Sequence, residues 1–165
     1  MKTWLTLLLL STLFTGCNSG LQTAVNENES ATQQILVKGT SSVNDVSFTI
    51  LKKGQYPEST AGKQERTIYY SDNATDVEAF QDAYLRLTNT IAPEFDGTII
   101  IAKMGQKNSG GYDIEVESVK DNGRFMEVTL HESTPDGGLV TMALTNPFIV
   151  IYLPNNHKEV KIIDN

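Results

Sequence analysis

Cysteine is almost missing from this chain: Cys17 stands alone among 165 residues. A lone cysteine excludes a disulfide framework and a thiolate-rich metal site. Tryptophan also occurs once and histidine twice, so the usual proton-transfer and metal-binding side chains are scarce. Basic residues are in deficit, 13 against 20 acidic ones, for a formal charge of −7. An acidic surface repels phosphate backbones and anionic headgroups, so nucleic acid is not an expected partner. No apolar run approaches the roughly 20 residues that span a bilayer.

What is present begins at the amino terminus. Lys2 precedes the apolar run Trp4–Phe14, which has the length of a signal h-region. Leu13-Phe14-Thr15-Gly16-Cys17 follows and reads as a lipobox, with small residues before a cysteine whose thiol takes a diacylglycerol. The expectation is a signal peptide over 1–16 and lipidation at Cys17. That lipid makes the membrane contact and holds the protein in a bacterial cell envelope. In a double-membraned organism, Asn18 after the cysteine directs it to the outer membrane. Loss of the leader removes Lys2, leaving 12 basic against 20 acidic residues and a formal charge of −8.

Residues 17–34 are polar and aperiodic and read as a tether. Such a segment holds a domain about 20–25 Å from the bilayer. Residues 35–165 then suffice for one domain with one core.

That domain reads mostly as strands. Val46–Leu51 alternates and runs into a turn at Lys52-Lys53-Gly54, and Glu65–Tyr70 is a second strand. Thr98–Ala102 is apolar throughout, as in a strand covered on both faces. Tyr112, Ile114 and Val116 alternate with acids, and Asp121-Asn122-Gly123 makes a hairpin turn. The return strand puts Met126, Val128 and Leu130 inward, with Glu127, Thr129 and His131 outward. A further β run spans 139–153, interrupted at Asn146-Pro147, and a last hairpin turns through Pro154-Asn155-Asn156. One helix is expected, capped by Thr75 with Glu78, with Val77, Phe80, Tyr84, Leu87 and Ile91 on one stripe. The fold class is therefore α+β: a mainly antiparallel, curled sheet or sandwich with one packed helix.

Chemistry has few candidates. His131 lies on an outward strand position and His157 beside a turn, and no nucleophile motif accompanies either. Asp72, Asn73, Asp76 and Glu78 lack the spacing and glycine of a calcium loop, and helix capping accounts for them. Glu115 and Glu117 share a strand face, an arrangement open to glycosidases but usual for solvated acids. No enzyme activity, cofactor or metal is expected.

Special backbone residues concentrate in Asn108–Tyr112, Glu132–Gly138 and Thr145–Phe148. Tyr112 has two readings: core, by its inward parity, or a rigid contact surface beside paired glycines. Ser109-Gly110-Gly111-Tyr112-Asp113-Ile114, Val119, then Glu132-x-x-Pro135-x-Gly137, then Leu144-Thr145-x-Pro147-Phe148-x-Val150 resemble the C-terminal domain of the PrcB family of protease-complex subunit lipoproteins. Upstream, Pro93-Glu94-Phe95, Ile99–Ala102 and Gly105 are similar to the same family, so the best-matching stretch is 94–153. Glu94, Ser109 and Asp136 depart from its usual residues. The resemblance implies a non-catalytic partner protein that stabilises or helps assemble a protein complex, such as a protease. It marks Gly110, Gly111, Tyr112, Pro135, Gly137, Gly138, Pro147 and Phe148 as family-motif or partner-contact residues. An alternative is a loop-based protease inhibitor similar to chagasin, with Gly111-Tyr112, Gly137-Gly138 and Pro147-Phe148 as its loops. The expected helix and the absence of an arginine before Pro147 argue against it.

Overall fold

The computed structural model describes residues 45–57, 62–137 and 140–165. Cys17, the leader, the tether and Gly138 lie outside the described residues.

Among the described residues, seven strands and one helix follow in the order β1 (Thr49–Gln55), β2 (Glu65–Tyr70), α1 (Ala74–Thr88), β3 (Gly97–Lys103), β4 (Asp113–Asp121), β5 (Met126–Ser133), β6 (Pro147–Pro154) and β7 (Val160–Asp164). They form an antiparallel four-stranded sheet, β1-β6-β3-β2, and a three-stranded sheet, β4-β5-β7. Only β7 pairs in parallel, against β5. The α+β class with mostly antiparallel pairing is thus the observed architecture, as two sheets and one helix.

Three layers result, and the apolar pattern of the central strands explains them. Ile100 and Ala102 of β3 and Ile149, Ile151 and Leu153 of β6 face Ile114, Val128 and Leu130 of the smaller sheet. The alternate residues Ile99, Ile101, Phe148 and Val150 face Phe80, Tyr84 and Leu87 of α1. Both strands therefore bury side chains on both faces, which a continuous apolar run permits and an alternating one does not. Strands β4 and β5 alternate instead, and Glu115 and Glu117 of β4 meet water. The expected inward set Met126, Val128 and Leu130 is buried. The hairpin at Asp121–Met126 is also present, with Gly123 at φ 79°.

Several sequence expectations need correction. Lys52-Lys53-Gly54 is not a turn but part of β1, which passes through a bulge between Ile50 and Lys52 and stays paired with β6 to Gln55. Residues 140–144 are loop, and the strand begins at Pro147, where the ring opens the strand and leaves its carbonyl to accept from Met104 N at 3.0 Å. Strands β6 and β7 are not a hairpin, because β7 crosses to the other sheet. The helix is capped by Asn73, whose side chain accepts from Thr75 N at 3.0 Å, and not by Thr75. It ends at Asn89 in a left-handed conformation, so Ile91 falls beyond it and is 91% exposed.

The strand ends define two poles. At one, Asp45 bridges to Lys120 and Val46 N donates to Val119 O at 2.9 Å, beside the β4–β5 hairpin and the Gly97–Pro154 pair. At the other lie the Asp113–Ser133, Lys103–Phe148 and Gln55–Pro147 pairs. Strand β4 has nine residues, which separates the poles by about 30 Å at ~3.3 Å per residue.

Candidate functional site

The motif residues collect at the second pole, on three loops held together by hydrogen bonds. Lys107 and Thr145 exchange both backbone bonds, at 2.8 and 3.0 Å. The Thr145 hydroxyl donates to Ser109 O at 2.6 Å, and Gly110 N donates to Thr141 O at 2.9 Å. Gln106 N reaches Gly62 O at 3.3 Å, drawing in the segment before β2. Backbone groups that a surface loop usually leaves to water are satisfied here by neighbouring loops.

The glycine pair is what lets these loops approach. A Cβ on Gly110 meets Thr141 Oγ1 at 2.6 Å, closer than real contacts allow. Gly111 has φ 87°, and its Cβ position lies 2.9 Å from Pro135 Cβ and 3.5 Å from Val140 Cγ1. Gly137 N donates to Pro135 O at 2.9 Å, tightening the Pro135–Gly137 turn. Gly110, Gly111, Pro135 and Gly137 therefore frame a platform.

Tyr112 lies where its inward parity puts it. Its half-buried ring packs against the core between the sheets, while Lys107 Nζ sits 5.4 Å from the ring centroid. Phe148 has a different place from the one expected of a contact residue. It is 1% exposed and stands edge-on to Tyr56 at 6.2 Å, and Pro147 is buried beside it. The Phe148 ring is enclosed in the packed layer between β6 and α1. The loop set of the chagasin-like alternative loses its proline–aromatic member for the same reason.

The exposed apolar residues of the platform are others. Val140, Met142 and Leu144 are 38%, 97% and 48% exposed. In the sequence they alternate like strand residues and merge with the apolar run of β6, which hides them as core. The signal that separates them is Asn146-Pro147, where the ladder with β3 and β1 begins.

His131 is exposed and paired in register with Glu115 of β4. His157 is exposed too, with Nε2 3.6 Å from Asp96 Oδ1. Asp76 accepts from Tyr70 N at 3.1 Å and Asn73 caps the helix, which places the acidic cluster in structural work. Among the described residues, no three His, Cys, Asp or Glu side chains are grouped to hold a metal. No helix among them is long and apolar enough to cross a membrane.

A cleft of about 510 Å³ runs between α1 and the large sheet, lined by Glu65, Tyr69, Asp82, Arg86, Leu87 and Lys103 among others. Lys103 pairs with Glu65 at 2.7 Å and Arg86 with Asp82 at 3.2 Å, so its charges are mutually neutralised. The Lys103 hydrogen bond holds the Glu65 carboxyl below its ordinary range, and burial pushes the Tyr69 hydroxyl up. Neither shift prepares a nucleophile or a base near neutrality.

Residues 98–154, running from β3 to the end of β6, match the model of the family described as PrcB C-terminal. This is the stretch that carries the resemblance in the sequence, and it holds the central strands, the smaller sheet's hairpin and all three platform loops. No curated protein and no solved structure matches the chain.

Proposed function

We propose that this protein is an exported, non-catalytic accessory subunit, lipid-anchored through Cys17 to a bacterial envelope membrane. It binds, and stabilises or helps assemble, a protein complex such as a surface protease. The observation that carries the proposal is the family match over 98–154, which spans the part of the fold where the loop platform is built. The lipobox and polar tether support the location, since they put the domain within a few nanometres of a membrane surface. In a double-membraned organism that surface belongs to the outer membrane. The partner is protein; neither nucleic acid nor metal is needed for the role.

Deleting the gene and quantifying the envelope proteome tests it. One or more envelope proteins, a protease among them, fall in abundance and recover when the gene is restored; an unchanged proteome sinks the proposal. Cys17→Ser tests the anchor, and the variant should leave the membrane fraction. The inhibitor alternative has less support, because Phe148 is enclosed.

A further inference from the structure

The structure assigns Met142 as an accessible site of reversible two-electron oxidation, one that takes an oxygen atom from a peroxide and is returned to the thioether by a dithiol reductase. This site goes beyond the accessory role proposed above and does not rest on it.

Burial separates the methionines of this chain. Of the four, Met1 lies outside the described residues and the other three lie within them. Met104 and Met126 are 2% and 3% exposed, and both stand in the core between the sheets. Met142 is 97% exposed. A thioether needs no deprotonation before it reacts with a peroxide, so access of the oxidant to sulfur sets the relative rates. Small oxidants reach Met142 with the fold closed. Met104 and Met126 must wait for an opening that exposes them.

The Met142 sulfur attacks one oxygen of hydrogen peroxide, and the S–O bond forms as the O–O bond breaks. Sulfur gives up two electrons; the departing hydroxide takes the proton of the transferred oxygen and leaves as water. In the return step a reductase thiol attacks the sulfoxide sulfur, a second thiol closes a disulfide, and the oxygen leaves as water. Two sulfoxide epimers form, and each is reduced by its own enzyme.

The surrounding loop tolerates this product. Its anchors are backbone and hydroxyl groups: Gly110 N on Thr141 O, the paired bonds of Lys107 and Thr145, and the Thr145 hydroxyl on Ser109 O. None of them uses the Met142 side chain, so an S–O dipole there stays in water and breaks no bond. On Met104 or Met126 the same dipole would be buried in an apolar layer with Ile100, Ile114 and Val128, where a polar group without a partner is costly. The pinned backbone also keeps Met142 presented between Val140 and Leu144, which are 38% and 48% exposed. Oxidation therefore turns the most exposed of three neighbouring apolar side chains polar, and a reductase meets it without unfolding the chain.

The test treats the full folded chain with dilute hydrogen peroxide at neutral pH and follows each methionine by peptide mapping and mass spectrometry. Met142 should convert roughly tenfold faster than Met104 and Met126, or more, while in guanidinium chloride the three rates should agree within about a factor of three. The chain oxidised at Met142 alone should keep its thermal midpoint. Reductases for both epimers, supplied with dithiothreitol, should then restore the thioether in the folded chain. Oxidation of Met104 or Met126 as fast as Met142 overturns the selectivity. A Met142 rate in the folded chain roughly tenfold below its rate in denaturant overturns the open access to its sulfur. A lowered thermal midpoint overturns the tolerance of the loop. Reductases that restore a peptide of the same sequence but not the folded chain overturn the reversibility.

Discussion

Arg66 of β2 spans the two sheets to pair with Glu132 of β5, and the same guanidinium holds Asp164 of β7 at 2.8 Å and the Lys103 carbonyl at 2.7 Å. With the Glu65 carbonyl at 3.1 Å, its planar fork distributes donors over four acceptors that a lysine ammonium does not match in geometry. At the opposite edge of the sandwich, Lys53 of β1 contacts Asp113 at 2.7 Å and Glu115 at 3.3 Å on β4. Both edges are thus pinned by a cation of the large sheet and acids of the small one.

The two pins differ in burial and therefore in worth. The Arg66 and Glu132 side chains are 12% and 20% exposed, whereas Lys53 and Asp113 are 32% and 43% exposed. Arg66→Met should lower unfolding free energy by about 2–3 kcal/mol, since it strands a half-buried carboxylate. Lys53→Met should cost less than about 1 kcal/mol. Urea denaturation of the two variants side by side checks the order.

The Glu65–Lys103 pair gives a pH prediction. The hydrogen bond from Lys103 depresses the Glu65 pKa below its ordinary value of 4.5. A carboxylate with a depressed folded-state pKa contributes stability that is present above the unfolded value and is lost as pH falls through the folded one. Stability should therefore decline from about pH 5 downward, and Glu65→Gln should remove part of that decline while leaving the neutral-pH slope unchanged. Denaturant midpoints measured between pH 7 and pH 2 decide it; an identical acid limb in the variant contradicts it.

Helix capping offers a direct comparison. Asn73 sits in extended backbone with its side chain on Thr75 N, so Asn73→Ala should cost about 1 kcal/mol. Thr75→Ala should fall within about 0.5 kcal/mol of wild type. Thermal unfolding followed by circular dichroism at 222 nm reads both.

That comparison also shows where the sequence was legible. Periodicity located α1, β2, β3 and the β4–β5 hairpin, because a half-buried helix or strand repeats its apolar residues at the element's own period. It misjudged the cap, since Asn73 and Thr75 both suit that position and only backbone geometry chooses. It carried β6 back to residue 139, since Val140, Met142 and Leu144 continue an alternating pattern with no ladder to join. It also made a hairpin of β6 and β7, because nothing local to Asn155-Asn156 records that Val160 pairs with Met126. The motif residues were found by resemblance, but their division into frame, core and exposed surface depends on loop contacts distant in sequence.

Two glycines of the motif separate strain from crowding. Gly111 and Gly137 both have positive φ, 87° and 72°, but only Gly111 has a neighbour within 4 Å of its Cβ position. Gly137→Ala should cost about 1 kcal/mol, the conformational term alone. Gly111→Ala adds a contact of 2.9 Å with Pro135 and should cost about 2–3 kcal/mol. Equal losses for the two variants in urea denaturation contradict the close approach of the loops.

Phe148 and Met142 test whether the motif region divides into core and exposed loop. Phe148 is 1% exposed, between Tyr56 and the core under α1, and its truncation leaves a cavity there. Phe148→Ala should lower unfolding free energy by about 3–5 kcal/mol. Met142 is 97% exposed and contributes little to packing, so Met142→Ala should stay within about 0.5 kcal/mol of wild type. Phe148→Leu, which keeps an apolar side chain but loses volume, should cost less than Phe148→Ala. Equal losses for Phe148→Ala and Met142→Ala in urea denaturation contradict that division.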